Sequence, residues 1–179
     1  MSSVFHNAGI SDDADPGAAN LDGGGRSLSA PTPADAGLTA GATVEHDRLT
    51  FTWPDTAPGS HDNVRADGQQ ITVDGSGSKL GFLATSTNGP SSGTGTITYT
   101  DGTTQNYTLA VADWTTNTPA TGTDTLATLP RRNTSTGGIT DHPVSIYAST
   151  IPLQDGKTVA HLTLPDARSR MHIFASTIG

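Results

Sequence analysis

Apolar and polar positions alternate in short runs along most of the chain. Leu49-Thr50-Phe51-Thr52-Trp53 and Thr96-Ile97-Thr98-Tyr99-Thr100 put an apolar side chain at every second position, the period of a strand with one buried face. Nine β-rich runs are predicted, at 43–44, 49–53, 70–73, 79–85, 95–100, 106–112, 144–149, 158–164 and 172–177. Gly, Pro, Asp and Asn separate nearly every pair. The sharpest hairpin signal is Asp101-Gly102, which joins the run ending at Thr100 to the run ending at Val111, because a tight turn needs the positive φ that glycine supplies. A single helical signal is present, Pro33-Ala34-Asp35-Ala36-Gly37-Leu38, with proline near the first turn and glycine at the stop. It predicts one or two turns at most.

Short strands without βαβ alternation and without a fixed repeat predict an all-β fold: an antiparallel two-sheet β-sandwich, jelly-roll-like, formed by residues 1–179 as one domain. The length is enough for one sizeable core. Two longer irregular stretches, 7–27 and 114–124, are where a rigid sandwich is expected to present functional groups.

Composition narrows the partners. Charged residues make up 15% of the chain, so Thr and Ser supply most of the polar strand face. A net charge of −8 repels phosphate backbones and anionic lipid, so neither nucleic acid nor a membrane surface is expected as a partner. No apolar run approaches the roughly 18 residues that span a bilayer. The chain has no cysteine, which removes disulfides, thiolate metal sites and a cysteine nucleophile.

Several segments occur in a suggestive order: Asn7-Ala8-Gly9-Ile10-Ser11-Asp12-Asp13, Ala19-Asn20-Leu21-Asp22-Gly23, Leu49-Thr50-Phe51-Thr52-Trp53-Pro54, Leu80-Gly81-Phe82-Leu83, Tyr99-Thr100-Asp101-Gly102-Thr103 and Asp113-Trp114. From about Phe5 to Ile178 the series resembles an accessory domain of secreted actinobacterial glycosidases, found beside α-mannosidase-like or fucosidase-like catalytic domains. The resemblance implies a β-sandwich outside the cell that works as a carbohydrate-binding or interdomain module, with a catalytic glycosidase domain and a glycan as partners.

The residues suggest two kinds of site. Asp12, Asp13, Asp15 and Asp22, set among glycines, supply the oxygen-rich composition of a structural calcium site, which takes about six to eight oxygen ligands. The alternative is a turn-rich loop in which Asp side chains hold their own backbone. Sugar binding needs an aromatic face with amide or carboxylate partners for vicinal hydroxyls. Trp114 with Asp113 and Asn117 offers that combination if the indole leaves the core, whereas a buried Trp114 would only close the end of the sandwich. Asn88 in a turn and Arg131 in Arg131-Arg132-Asn133 are further candidates, the arginine for a carboxylate-bearing sugar. Trp53 is expected in the core.

Catalysis is not expected. Gly75-Ser76-Gly77 lacks the strand-to-helix context of a nucleophile elbow. Glutamate occurs once, at Glu45, and no carboxylate sits in an apolar sequence context that would raise its pKa. The six histidines show no zinc-ligand spacing, although His161 and His172 could meet across a hairpin.

Overall fold

The computed structural model describes residues 1–179. It contains sixteen strands: β1 Ile10–Ser11, β2 Arg26–Ser29, β3 Thr43–His46, β4 Leu49–Thr52, β5 Val64–Arg65, β6 Gln70–Ile71, β7 Gly75–Ser76, β8 Lys79–Ser86, β9 Ser91–Tyr99, β10 Thr104–Val111, β11 Thr123–Leu129, β12 Arg132–Thr134, β13 Ile139–Thr140, β14 Val144–Pro152, β15 Thr158–Thr163 and β16 Met171–Ile178. All nine predicted runs are strands.

The sandwich consists of two antiparallel sheets, β11-β14-β8-β16-β5 and β10-β9-β15-β6, with β7 added to β15. Between them lie Leu80, Phe82 and Ala84 of β8, Ile97 and Tyr99 of β9, and Tyr107, Leu109 and Val111 of β10. Phe82 stacks on Tyr107 with ring centroids 5.7 Å apart.

The first sheet is also covered on its other face. The β3-β4 hairpin, a four-stranded sheet β1-β2-β12-β13 and helix α1 (Pro31–Asp35) form a further layer. Its core joins Leu49, Phe51 and Trp53 to Leu83, Ile146 and Phe174 of the central strands. β8, β14 and β16 are therefore buried on both faces, in unbroken runs of buried residues instead of alternating ones, with Thr85, Ser145 and His172 among the residues covered. The pleat sends Leu80, Phe82 and Ala84 inward and Leu83 outward. A bulge between Ile173 and Ala175 in β16 puts Phe174 and Ala175 both on the outer face, where Phe174 stacks on Trp53 at 5.1 Å. Gly81 lets the hairpin approach this sheet: a Cβ there would lie 2.5 Å from both Leu49 Cδ1 and Phe51 Cζ.

The Asp-Gly hairpin forms, with Thr98 opposite Thr104 and Ser91 opposite Val111. The loop is Thr100-Asp101-Gly102: Gly102 N–H donates to Tyr99 O, Gly102 takes φ 82°, and Asp101 Oδ1 accepts from Thr103 N–H. Asp101 itself has no positive φ, so the turn is a three-residue type rather than the two-residue one. Helix α1 starts two residues before the predicted segment because Pro31 suits the first turn. Gly37 at φ 83° ends it, with Leu38 N–H closing onto Pro33 O at 2.7 Å.

Candidate functional site

A buried polar frame ties the N-terminal segment to the central sheet. The Asp62 carboxylate accepts N–H bonds from Gly9 and Ile10 at 2.9–3.0 Å and one from Asn63 Nδ2 at 2.7 Å. Burial nevertheless dominates and pushes its carboxyl up from 3.8 to about 6. Because Asn63 Nδ2 donates to Asp62, Asn63 Oδ1 is the acceptor for His172 Nδ1 at 3.0 Å. His172 Nε2 is then unprotonated and accepts from Thr87 Oγ1 at 3.1 Å. Burial first, and the Arg65 charge second, push His172 down from 6.5 to about 3 and keep it neutral.

In front of this frame lies a cleft of about 480 Å³, within the range of ligand pockets. Its lining includes Asn7, Asn20, Asp22, Thr87 and Asn88 together with Arg65, Arg168, Ser169 and Arg170. Leu21 is the one hydrophobic lining residue. Three amides keep unused valence there. Asn20 Oδ1 accepts from Gly25 N–H, leaving Nδ2 free; Asn7 Nδ2 donates to Asn63 and Asn88 Nδ2 donates to Asp22 O, leaving both Oδ1 atoms free. Arg65 stands on β5 opposite His172, and the two other arginines belong to the turn between β15 and β16. That turn holds Arg168 and Ser169 at φ 51° and 57°, a left-handed pair costing on the order of 1 kcal/mol per residue. Thr87 N–H donates to Arg170 O at 3.0 Å and Arg170 N–H donates to Ala167 O at 3.1 Å, which holds the turn in place, while the Ser86 hydroxyl donates to Gly89 O at 2.8 Å.

The predicted site residues are scattered relative to this cleft. Trp114 is 2% exposed and packs in the outer core, with the Arg132 guanidinium 5.3 Å from its ring centroid, so it offers no stacking face and the reading of it as a sugar platform is corrected. The cause is backbone pairing beyond β10: Trp114 N–H donates to Ser86 O, and Ser145 N–H donates to Trp114 O, drawing the indole under the sheet edge. Asp113 is 8% exposed and holds its own loop, accepting from Thr115 N–H and Oγ1 and from Gly89 N–H. Asn117 is exposed but accepts from Ser145 Oγ, and Arg131 is ion-paired with Asp13 at 3.0 Å. Of the five, Asn88 alone lines the cleft. Trp53 is in the core as expected, 2% exposed.

The four aspartates expected to share calcium are not gathered. Asp12 accepts from Ala14 N–H, Asp13 takes Ser29 Oγ and Arg131, Asp15 precedes a 3-10 turn, and Asp22 binds Gly24 N–H, Arg26 N–H and the Arg26 guanidinium. These are the loop-holding bonds of the alternative reading. No group of three or more His, Asp or Glu side chains is placed to hold a metal ion. His161 and His172 do not meet, because they lie in different sheets.

The segment 7–27 does furnish the cleft, through Asn7, Asn20 and Asp22, whereas 114–124 contributes nothing to it and ends inside β11. Sequence reasoning missed Arg65, Arg168 and Arg170. The spacing Arg168-Ser169-Arg170 is a signal equal to Arg131-Arg132, but Arg65 lies about a hundred residues earlier and only sheet pairing brings it near.

Sheets and cleft together define a β-sandwich domain with a polar cavity of ligand size. Residues 3–179 match the model of the AziU2-like beta-sandwich domain family, and the chain belongs to that family. The match covers the span of the segment series, and the family's description contains the sandwich but not the glycosidase. No curated protein matches the chain.

Proposed function

We propose that this domain is a non-catalytic binding module for a polyhydroxylated ligand, a carbohydrate, held in the cleft between Asn7, Asn20, Asn88 and the 168–170 turn. The observation that carries the reading is the set of unused amide valences, one donor at Asn20 and acceptors at Asn7 and Asn88, around a cavity of about 480 Å³. Vicinal hydroxyls each donate and accept, and such a wall suits them. The segment series resembling accessory domains of secreted glycosidases supports the same reading, and on that resemblance the module would work outside the cell beside a catalytic glycosidase domain.

Binding without turnover is favoured by the chemistry available. Glycoside hydrolysis uses two carboxylates about 5–9.5 Å apart. Asp22 is the one carboxylate on the cleft wall, and its oxygens are taken by Arg26 and two backbone N–H groups. Thr87 and His172 stand in the order of nucleophile and base, but a base near pKa 3 lies far below the operating range of general-base catalysis.

A structural spacer packed against a catalytic domain is the second reading, favoured by the burial of both tryptophans. It would need a polar interface, since Ile139, 48% exposed, is the single large hydrophobic on the surface. Titration with a panel of neutral and acidic monosaccharides, followed by calorimetry, separates the two. Saturable binding weakened by an Asn20→Ala/Asn88→Ala double variant is expected, and a panel with no binder at millimolar concentration refutes the carbohydrate reading.

A further inference from the structure

We infer that Arg65, Arg168 and Arg170 form an anion subsite in the cleft, so that the ligand carries an oxyanion, a carboxylate or a sulfate or phosphate ester, beside its hydroxyls. The inference deepens the binding reading and rests on the cleft being the ligand site.

The chain has nine Lys and Arg against 17 Asp and Glu, so an unpaired cation is not for want of carboxylates. Four cations are ion-paired: Arg26 with Asp22, Lys79 with Asp47, Arg131 with Asp13 and Lys157 with Asp101, all at 2.6–3.2 Å. Arg132 lies over Trp114. That leaves Arg48, Arg65, Arg168 and Arg170, and three of these four line one cavity. Three guanidinium groups on one cavity wall repel one another modestly, and a shared anion would relieve that repulsion.

Asp22, the one acidic lining residue, is already neutralised by Arg26 at 3.2 Å, and its side chain is largely covered. Asp166, next to the turn, spends Oδ1 on Arg168 N–H at 3.2 Å and makes no ion pair with the guanidinium. Among the residues that line the cleft, three arginines thus stand against one carboxylate that is already paired, on a protein of net charge −8, while Asp166 lines a neighbouring pocket with Arg168 and Arg170. Arginine's planar fork suits a carboxylate or sulfate in two-point contact, and three forks from two separate segments surround an oxyanion better than one. The left-handed pair Arg168-Ser169 is held between Arg170 N–H donating to Ala167 O and Thr87 N–H donating to Arg170 O, so the turn carries both arginines into the cleft wall without ligand-induced folding.

The test is calorimetric titration of the wild-type domain and of Arg65→Gln and Arg168→Gln/Arg170→Gln variants with glucuronate, glucose and inorganic sulfate at low and at high NaCl. All three arginines are exposed, and Arg48→Gln serves as a control at an unpaired arginine elsewhere. Glucuronate is expected to bind on the order of tenfold or more tightly than glucose, with the advantage lost in the cleft variants, kept in Arg48→Gln and weakened by salt. Equal, arginine-independent affinity for glucuronate and glucose overturns the anion subsite and leaves the carbohydrate reading standing. Sulfate binding that depends on the cleft arginines, with no sugar bound, supports the subsite and overturns the carbohydrate reading. Failure of all three probes overturns both.

Discussion

His172 and Asp62 make opposite contributions to stability on acidification, and a His172→Gln variant separates them. The folded pKa of His172 is depressed from 6.5 to about 3, so below pH 6.5 the unfolded chain binds a proton that the folded domain refuses. Stability from this residue is complete above pH 6.5 and is lost as pH falls toward 3. Over that interval, at about 1.36 kcal/mol per pH unit, the loss reaches about 5 kcal/mol. Asp62 runs the other way. Its folded pKa is raised from 3.8 to about 6, so above pH 6 its ionisation costs the folded state about 3 kcal/mol, relieved as pH falls from 6 to 3.8. Between pH 6 and pH 3.8 the two slopes cancel.

Glutamine at 172 cannot titrate, so the variant retains only the Asp62 slope in that window. Any lost packing is a constant offset. Asp47 beside Lys79, and Asp101 held by Thr103, sit below the usual carboxylate range but are present in both proteins and drop out of the difference. Urea unfolding at pH 7, 6, 5 and 4 gives the free energies. The variant is expected to gain about 3 kcal/mol on wild type between pH 6 and 4, the slope of one proton. A gap that stays constant across the series would refute a neutral, buried His172.

Further outcomes follow from packing. Gly81→Ala would drive a methyl against Leu49 and Phe51, and overpacking of about 1–3 kcal/mol should lower Tm by several degrees; an unchanged melt would mean that the outer hairpin does not pack this closely. Trp114→Ala should cost about 3–5 kcal/mol as a core truncation. In the wild type both indoles should be blue-shifted and shielded from iodide, with ligand leaving their emission unchanged; ready quenching of Trp114 would return it to the surface. Because Asp12, Asp13, Asp15 and Asp22 are committed to separate partners, chelator or added calcium should leave Tm within about a degree, and a larger change would require these carboxylates to converge.

The strands were readable because each needed only local information. β9 and β10 alternate visibly, and Asp101-Gly102 marks the reversal between them. β11 was not readable, since its Thr-rich edge-strand sequence buries fully only Thr123 and Leu129 and gains its identity by pairing with β14. β1, β12 and β13 are two or three residues long and are strands only because neighbours supply hydrogen bonds.

The all-β sandwich, its hairpin turn, its acidic balance and the polar character of the 7–27 segment were legible in the residues alone, because period, turn chemistry and charge are local or additive. The covering layer that buries both faces of β8, β14 and β16, the burial of Trp114, and the placing of Arg65 on the same cleft as Arg168 and Arg170 came only with the tertiary fold. Each depends on which segments a pleated sheet sets side by side, and pairing across a hundred residues leaves no trace in the local pattern.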